Sequence, residues 1–107
     1  MWVFTRDGFL SIVEHNLNSN ILIVRSRFKN HIQKIFGEVN VEEDAGTDYE
    51  YRAEIPKEKV AKVMSDLVKD IDYPNFKNEL GRLKKIDSPY VRRCWAVYEV
   101  VQGNFEV

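Results

Sequence analysis

The chain has 107 residues, of which 44% are hydrophobic and 31% charged, with a formal net charge of -1. That length and apolar content suffice for one core and leave little for a second. The near balance of charge excludes a global field that would draw the protein to nucleic acid or membrane, so an electrostatic partner must read a local patch.

In chain order, Trp2 to Thr5 and Phe9 to His15 read as two strands around Arg6-Asp7-Gly8, because Asp-Gly tolerates positive φ between β-rich runs. The polar run Asn16 to Asn20 favours a loop, since its Asn and Ser side chains compete for backbone hydrogen bonds. A third strand is expected from Ile21 to Arg25. Ser26 then suits an N-cap for a helix from Arg27 to Phe36, with Phe28, Ile32, Ile35 and Phe36 on one face and Gly37 as the stop. Val39 to Val41 reads as a brief edge strand, and Glu42 to Thr47 as an acidic loop without periodicity. Asp48 to Ile55 resumes alternation at period two, placing Tyr49, Tyr51, Ala53 and Ile55 on one side.

Pro56 opens the most regular helix, in which Val60, Val63, Met64, Leu67, Val68 and Ile71 recur at spacings of three and four. Asp72-Tyr73-Pro74-Asn75 interrupts it, with Asp72 or Tyr73 as cap of a third helix carrying Phe76, Leu80 and Leu83. Ser88-Pro89 repeats the cap-then-proline start for a last helix from Tyr90 to about Val101, where Val91, Cys94, Trp95 and Tyr98 share a face. The β-branched Val97, Val100 and Val101 leave a strand open as the alternative there. The sum is a single α+β domain over residues 1–102 with a short tail at 103–107. Its expected architecture is a two-layer sandwich with a mainly antiparallel sheet and helices on one face, with the ferredoxin-like group as a candidate relative.

Several chemistries lack their residues. There is no Gly-rich phosphate loop, no His-x-x-x-His or Cys-x-x-Cys spacing and no nucleophile elbow. His15 and His31 read as surface histidines, Cys94 as a small core residue, and no catalytic set, cofactor or metal site is expected. Met1 to Asp7 lacks the basic region followed by a long apolar run that a secretory signal needs, so none is expected, and the longest strongly apolar stretch, Ile21 to Val24, is far below the roughly 20 residues that span a bilayer. With one cysteine as well, the expected setting is cytoplasmic, without a membrane segment.

Two groups of residues remain as surface candidates. Trp2, Phe4, Tyr49 and Tyr51 lie on strands at period two and read first as the core face beneath the helices, and otherwise as a stacking platform for single-stranded nucleic acid. Lys77, Arg82, Lys84, Lys85, Arg92 and Arg93 form one basic stretch, and Arg25, Arg27, Lys29 and Lys34 a second.

At Trp2-x-Phe4-Thr5-x-x-Gly8-Phe9-x-Ser11, at Asp48-Tyr49-x-Tyr51-Arg52 and at Ile71-Asp72-Tyr73-x-Asn75-Phe76-Lys77 followed by Trp95, the chain resembles a group of small uncharacterised bacterial proteins. The resemblance covers most of the length and implies a stand-alone bacterial domain without implying a reaction. It directs attention to Asp72, Tyr73, Asn75 and Lys77 at a helix start, and to Arg52, as binding candidates alongside Arg92 and Arg93. The leading expectation is a non-enzymatic binding or interaction domain, with another protein or a second copy of the chain as partner through the basic helical surface or a sheet edge. A nucleic-acid binder using Arg82 to Arg93 with exposed aromatics is the alternative, and a small enzyme with a pocket near Arg52 and Tyr73 a third.

Overall fold

A computed structural model describes residues 1–43, 46–101 and 103. The chain falls into two compact units, Met1–Ile71 and Asp72–Val107. Asp44 and Ala45 of the expected acidic loop lie outside the described residues, as does the expected tail apart from Gly103. Among the described residues no helix is long and apolar enough to cross a membrane.

The first unit is an α+β fold in which four antiparallel strands carry helices on one face. The strands are β1 (Trp2–Thr5), β2 (Gly8–Glu14), β3 (Ile21–Ser26) and β4 (Tyr51–Pro56), and they lie side by side in sequence order. This meander differs from the β-α-β-β-α-β order of ferredoxin-like folds. Helix α1 (His31–Phe36) enters between β3 and β4, and α2 (Lys57–Lys69) follows β4 directly. Register fixes which side chains meet: Val3 stands opposite Leu10, Ile12 opposite Val24, and Val24 opposite Ala53. On that face Leu10, Ile12, Val24, Ala53 and Ile55 join Ile32 and Phe36 of α1 and Val60 of α2 in one buried cluster. Tyr51, Val63 and Met64 pack against it half-buried.

The first turn is tighter than expected. Arg6 and Asp7 alone form it, and Gly8 opens β2, paired with Thr5. The Thr5 hydroxyl accepts from the amides of Asp7 (3.0 Å) and Gly8 (3.1 Å) and donates to the Gly8 carbonyl (2.9 Å). Gly8 has φ 148, and a Cβ there would fall 2.5 Å from Cγ of His31. His31 is therefore no surface histidine. It is 1% exposed, stacks on Phe28 with centroids 4.8 Å apart, and accepts the Phe9 amide on Nδ1 at 3.1 Å.

Ser26 ends β3 instead of capping a helix from Arg27. Its hydroxyl donates to the Phe9 carbonyl at 3.0 Å and accepts from the Phe28 amide at 3.2 Å. The β2–β3 ladder stops at Ser11 and Arg25, so Phe9 has backbone groups with no strand beside them. His31 and Ser26 satisfy both. The helix consequently starts later, at His31, behind Asn30 in the left-handed region. The expected strand at Val39 to Val41 is reduced to a single bridge between Glu42 and Arg52. At the other end of the acidic loop, the Thr47 hydroxyl donates to the Tyr49 carbonyl at 3.0 Å, so β4 begins at Tyr51 and Tyr49 lies outside the ladder.

Helix α2 buries Val60 and half-buries Val63, Met64 and Leu67, whereas Val68 and Ile71 are exposed and Ile71 lies beyond the helix end. The stripe of apolar spacing is thus longer than the face that packs.

The second unit contains α3 (Phe76–Leu83) and α4 (Ser88–Val101). The cap of α3 is Asn75, whose Oδ1 accepts the Asn78 amide at 2.8 Å, in place of Asp72 or Tyr73. Leu80, Leu83, Tyr90, Val91 and Cys94 are buried. The last element is a helix despite its valines, and Trp95 and Tyr98 meet edge to face at 5.5 Å.

Candidate binding surface

The parity of each strand that sends Leu10, Ile12 and Val24 under the helices sends the alternate residues to the other face of the sheet. There, Trp2 stands opposite Ser11 and Phe4 opposite Phe9. The rings form a connected cluster around Phe9. Phe4 and Phe9 lie 4.7 Å apart, Trp2 meets Phe9 edge-on at 6.5 Å, and Tyr49 also lies 6.5 Å from Phe9. Trp2 is 71% exposed, and Phe4, Phe9 and Tyr49 are half-buried. The expectation that Trp2, Phe4, Tyr49 and Tyr51 share the core face is corrected here. Only Tyr51 packs with the helices, because β1 presents Val3 to them and Tyr49 leaves the ladder before β4 starts.

Three guanidinium groups gather on the Tyr49 side of the cluster. Arg25 of β3 lies 4.4 Å from the Tyr49 ring centroid and Arg27 lies 5.5 Å from it. Both distances suit cation–π attraction. Arg25 Nη2 donates to Ser11 Oγ at 2.7 Å, and Arg52 Nη2 of β4 donates to Thr47 Oγ1 at 3.0 Å. The Nε atoms of Arg25 and Arg52 are shielded from solvent without a hydrogen-bond partner. Beside Arg52, an open cavity of about 550 Å³ is lined by Ile23, Asn40, Glu42, Arg52, Ala53 and Glu54. Glu54 is engaged by His15, whose Nε2 lies 2.6 Å from its carboxylate. His15 Nδ1 accepts the amides of Leu17 and Asn18, at 3.1 and 3.0 Å, so the ring proton sits on Nε2 and is donated to Glu54. This histidine braces the β2–β3 loop.

Of the residues singled out from sequence, Arg52 belongs to this face. Asp72, Tyr73, Asn75 and Lys77 gather at the start of α3 in the second unit. Asn75 is the cap, Tyr73 packs its ring 6.2 Å from Phe76, and Lys77 Nζ lies 5.9 Å from the Tyr98 ring centroid. Arg92 and Arg93 are exposed on α4. Cys94 is buried, which raises its thiol pKa, and Asp87 adds to the rise against a lowering hydrogen bond from Tyr90. Thiolate chemistry is disfavoured there.

Sequence reasoning missed Phe9, Ser11, Arg25 and Thr47 as members of one surface. The available signal was parity: Phe9 and Ser11 alternate with Leu10 and Ile12, and Arg25 alternates with Val24. It was obscured because Val13, Ile21 and Ile23 make the second parity apolar too. The residues of the first two sequence motifs divide accordingly, Thr5, Gly8 and Tyr51 serving the turn and the core, and Trp2, Phe4, Phe9, Ser11, Tyr49 and Arg52 meeting on the open face. Comparison with protein-family models, curated proteins and solved structures finds no match to this chain.

Proposed function

We propose that the first unit is a non-enzymatic binding domain whose open sheet face takes single-stranded nucleic acid. Bases stack along Trp2, Phe4, Phe9 and Tyr49, and the backbone passes Arg25, Arg27 and Arg52. The observation that carries this reading is the cluster of rings on the face opposite α1 and α2, bordered by three guanidiniums. An extended single strand offers flat bases at every step, and stacking on protein aromatics contributes about 1–3 kcal/mol per base. A duplex hides those faces. With three arginines on the face, the salt dependence is shallow, with a log–log slope of about -2.

Titration of the protein with a mixed-sequence single-stranded octamer, followed by Trp2 fluorescence, tests this reading against a duplex of the same sequence. Quenching by the single strand, lost in Tyr49→Ala and retained in Arg92→Glu/Arg93→Glu, is the expected result. Loss of binding on reversing Arg92 and Arg93, with no effect at Tyr49, would transfer the function to the basic surface of α4. No binding by any strand would remove the reading.

We infer a second copy of the chain as a further partner at another place. β1 is the end strand of the sheet, whereas the outer side of β4 already exchanges hydrogen bonds with Glu42. Strand addition along Trp2 to Thr5 would appear as concentration-dependent mass in light scattering.

A further inference from the structure

Arg25 and Arg52 are directly opposed across the β3–β4 ladder. The backbone determines how close that opposition is. Arg52 uses both its main-chain groups on the far side, donating to the Glu42 carbonyl at 3.1 Å and accepting the Glu42 amide at 2.8 Å. An antiparallel residue that bonds one neighbour with both groups has none left for the other. Arg25 and Arg52 therefore stand at a narrow, non-hydrogen-bonded site, where paired Cα atoms approach to about 4.5 Å and side chains are closest.

Like charges so placed repel. Among the described residues no carboxylate forms a salt bridge with either arginine; His15–Glu54, Lys62–Asp66 and Arg82–Glu79 pair elsewhere. Their hydrogen-bond partners, Ser11 and Thr47, are neutral hydroxyls that orient the guanidiniums without compensating their charge. Each also keeps a solvent-shielded Nε–H without an acceptor, a desolvation cost carried by the same two side chains. Arg25 Cζ lies over the Tyr49 ring, 4.4 Å from its centroid, and Arg27 adds a third positive charge over the same ring.

The geometry points to an oxyanion seat for a dianionic phosphate group, clamped by Arg25 and Arg52. Guanidinium forks match the paired oxygens of phosphate, and a phosphomonoester at about -1.5 to -2 charge balances both arginines where a carboxylate would balance one. The seat rests on the binding reading above and names its phosphate end: a strand whose terminal phosphate is seated at Arg25 and Arg52 leads its bases onto the aromatic cluster. Free phosphate offers the same chemistry.

Three probes separate these sources: inorganic phosphate, a 5′-phosphorylated trinucleotide and the same trinucleotide without phosphate. Binding is read from the arginine Nε–H resonances and from thermal melting in phosphate against chloride at equal ionic strength. Inorganic phosphate is expected to shift the Arg25 and Arg52 resonances and raise the melting temperature. The terminal phosphate is expected to tighten trinucleotide binding about tenfold, the worth of one charge-assisted hydrogen bond. Arg25→Lys and Arg52→Lys keep the charge but lose the fork, and either should weaken phosphate by a similar factor while Arg92→Lys does not. Unmoved arginine resonances in the parent protein, or equal phosphate binding in all three variants, would overturn the seat. Phosphate binding without trinucleotide binding would uphold the seat and sink the nucleic-acid reading. Equal binding of both trinucleotides without phosphate binding would do the reverse.

Discussion

The two faces of the sheet are built from the same strands and end in different states. Beneath the helices, Leu10, Ile12, Val24, Ala53 and Ile55 are at most 5% exposed. On the other face Phe4, Phe9, Val13, Ile21 and Ile23 stay half-buried, and Trp2 stands 71% in solvent. Antiparallel sheets with one covered face usually solvate the other with polar residues. Here the second face is aromatic and aliphatic with arginines at one end, the composition on which the proposed binding role rests. Burial was decided by which face α1 and α2 occupy, because both parities are apolar enough to serve as core.

Substitutions on the two faces should therefore separate stability from binding. Leu10→Ala, on the helix side at 0% exposure, is expected to cost about 2–5 kcal/mol in urea unfolding, from lost burial and the cavity left behind. A smaller loss would mean that the core is looser than its packing implies. Gly8→Ala should cost about 1–3 kcal/mol by driving a Cβ into the His31 ring. Because the His31 Cβ would itself lie 2.7 Å away, part of that loss should return in the Gly8→Ala/His31→Gly double variant once the loss from His31→Gly alone is accounted for, and simple additivity would show that the two sites do not collide.

Ser26→Ala removes a hydroxyl that satisfies the Phe9 carbonyl where the β2–β3 ladder ends. It is expected to cost about 1 kcal/mol. Hydrogen exchange would reveal the loss as faster opening around Phe9 and Phe28. At the opposite extreme, Trp2→Ala should change stability by less than about 0.5 kcal/mol while weakening strand binding by about 1–3 kcal/mol. A large loss of stability would place Trp2 among the structural residues and merge the two faces into one core.

Much of the fold was legible in the chain. The strand of Ile21 to Arg25 and the helix after Pro56 follow from periodicity and local chemistry, which act over a few residues, whereas α4 starts at Ser88 itself, with the Asp87 carbonyl accepting the Val91 amide, and not at Tyr90 behind a Ser88 cap. The boundaries that shifted did so through distant partners. Ser26 went to the Phe9 carbonyl, 17 residues away in sequence, and the helix start moved to His31. His31 was buried by the close approach of Gly8, for which a single histidine in an amphipathic segment gives no sign. Arg52 was visible as a candidate, but its companion Arg25 becomes its neighbour only through strand register.

Sequence by itself determined the kinds of element, since alternation and three-to-four spacing express the geometry of a strand or helix within its own length. It also supplied the rings and arginines. Tertiary structure alone decided which parity faced the helices, because a strand apolar on both sides carries no preference until another element covers one of them. The same pairing put two arginines from separate segments side by side, a juxtaposition set by cross-strand register and therefore invisible along the chain.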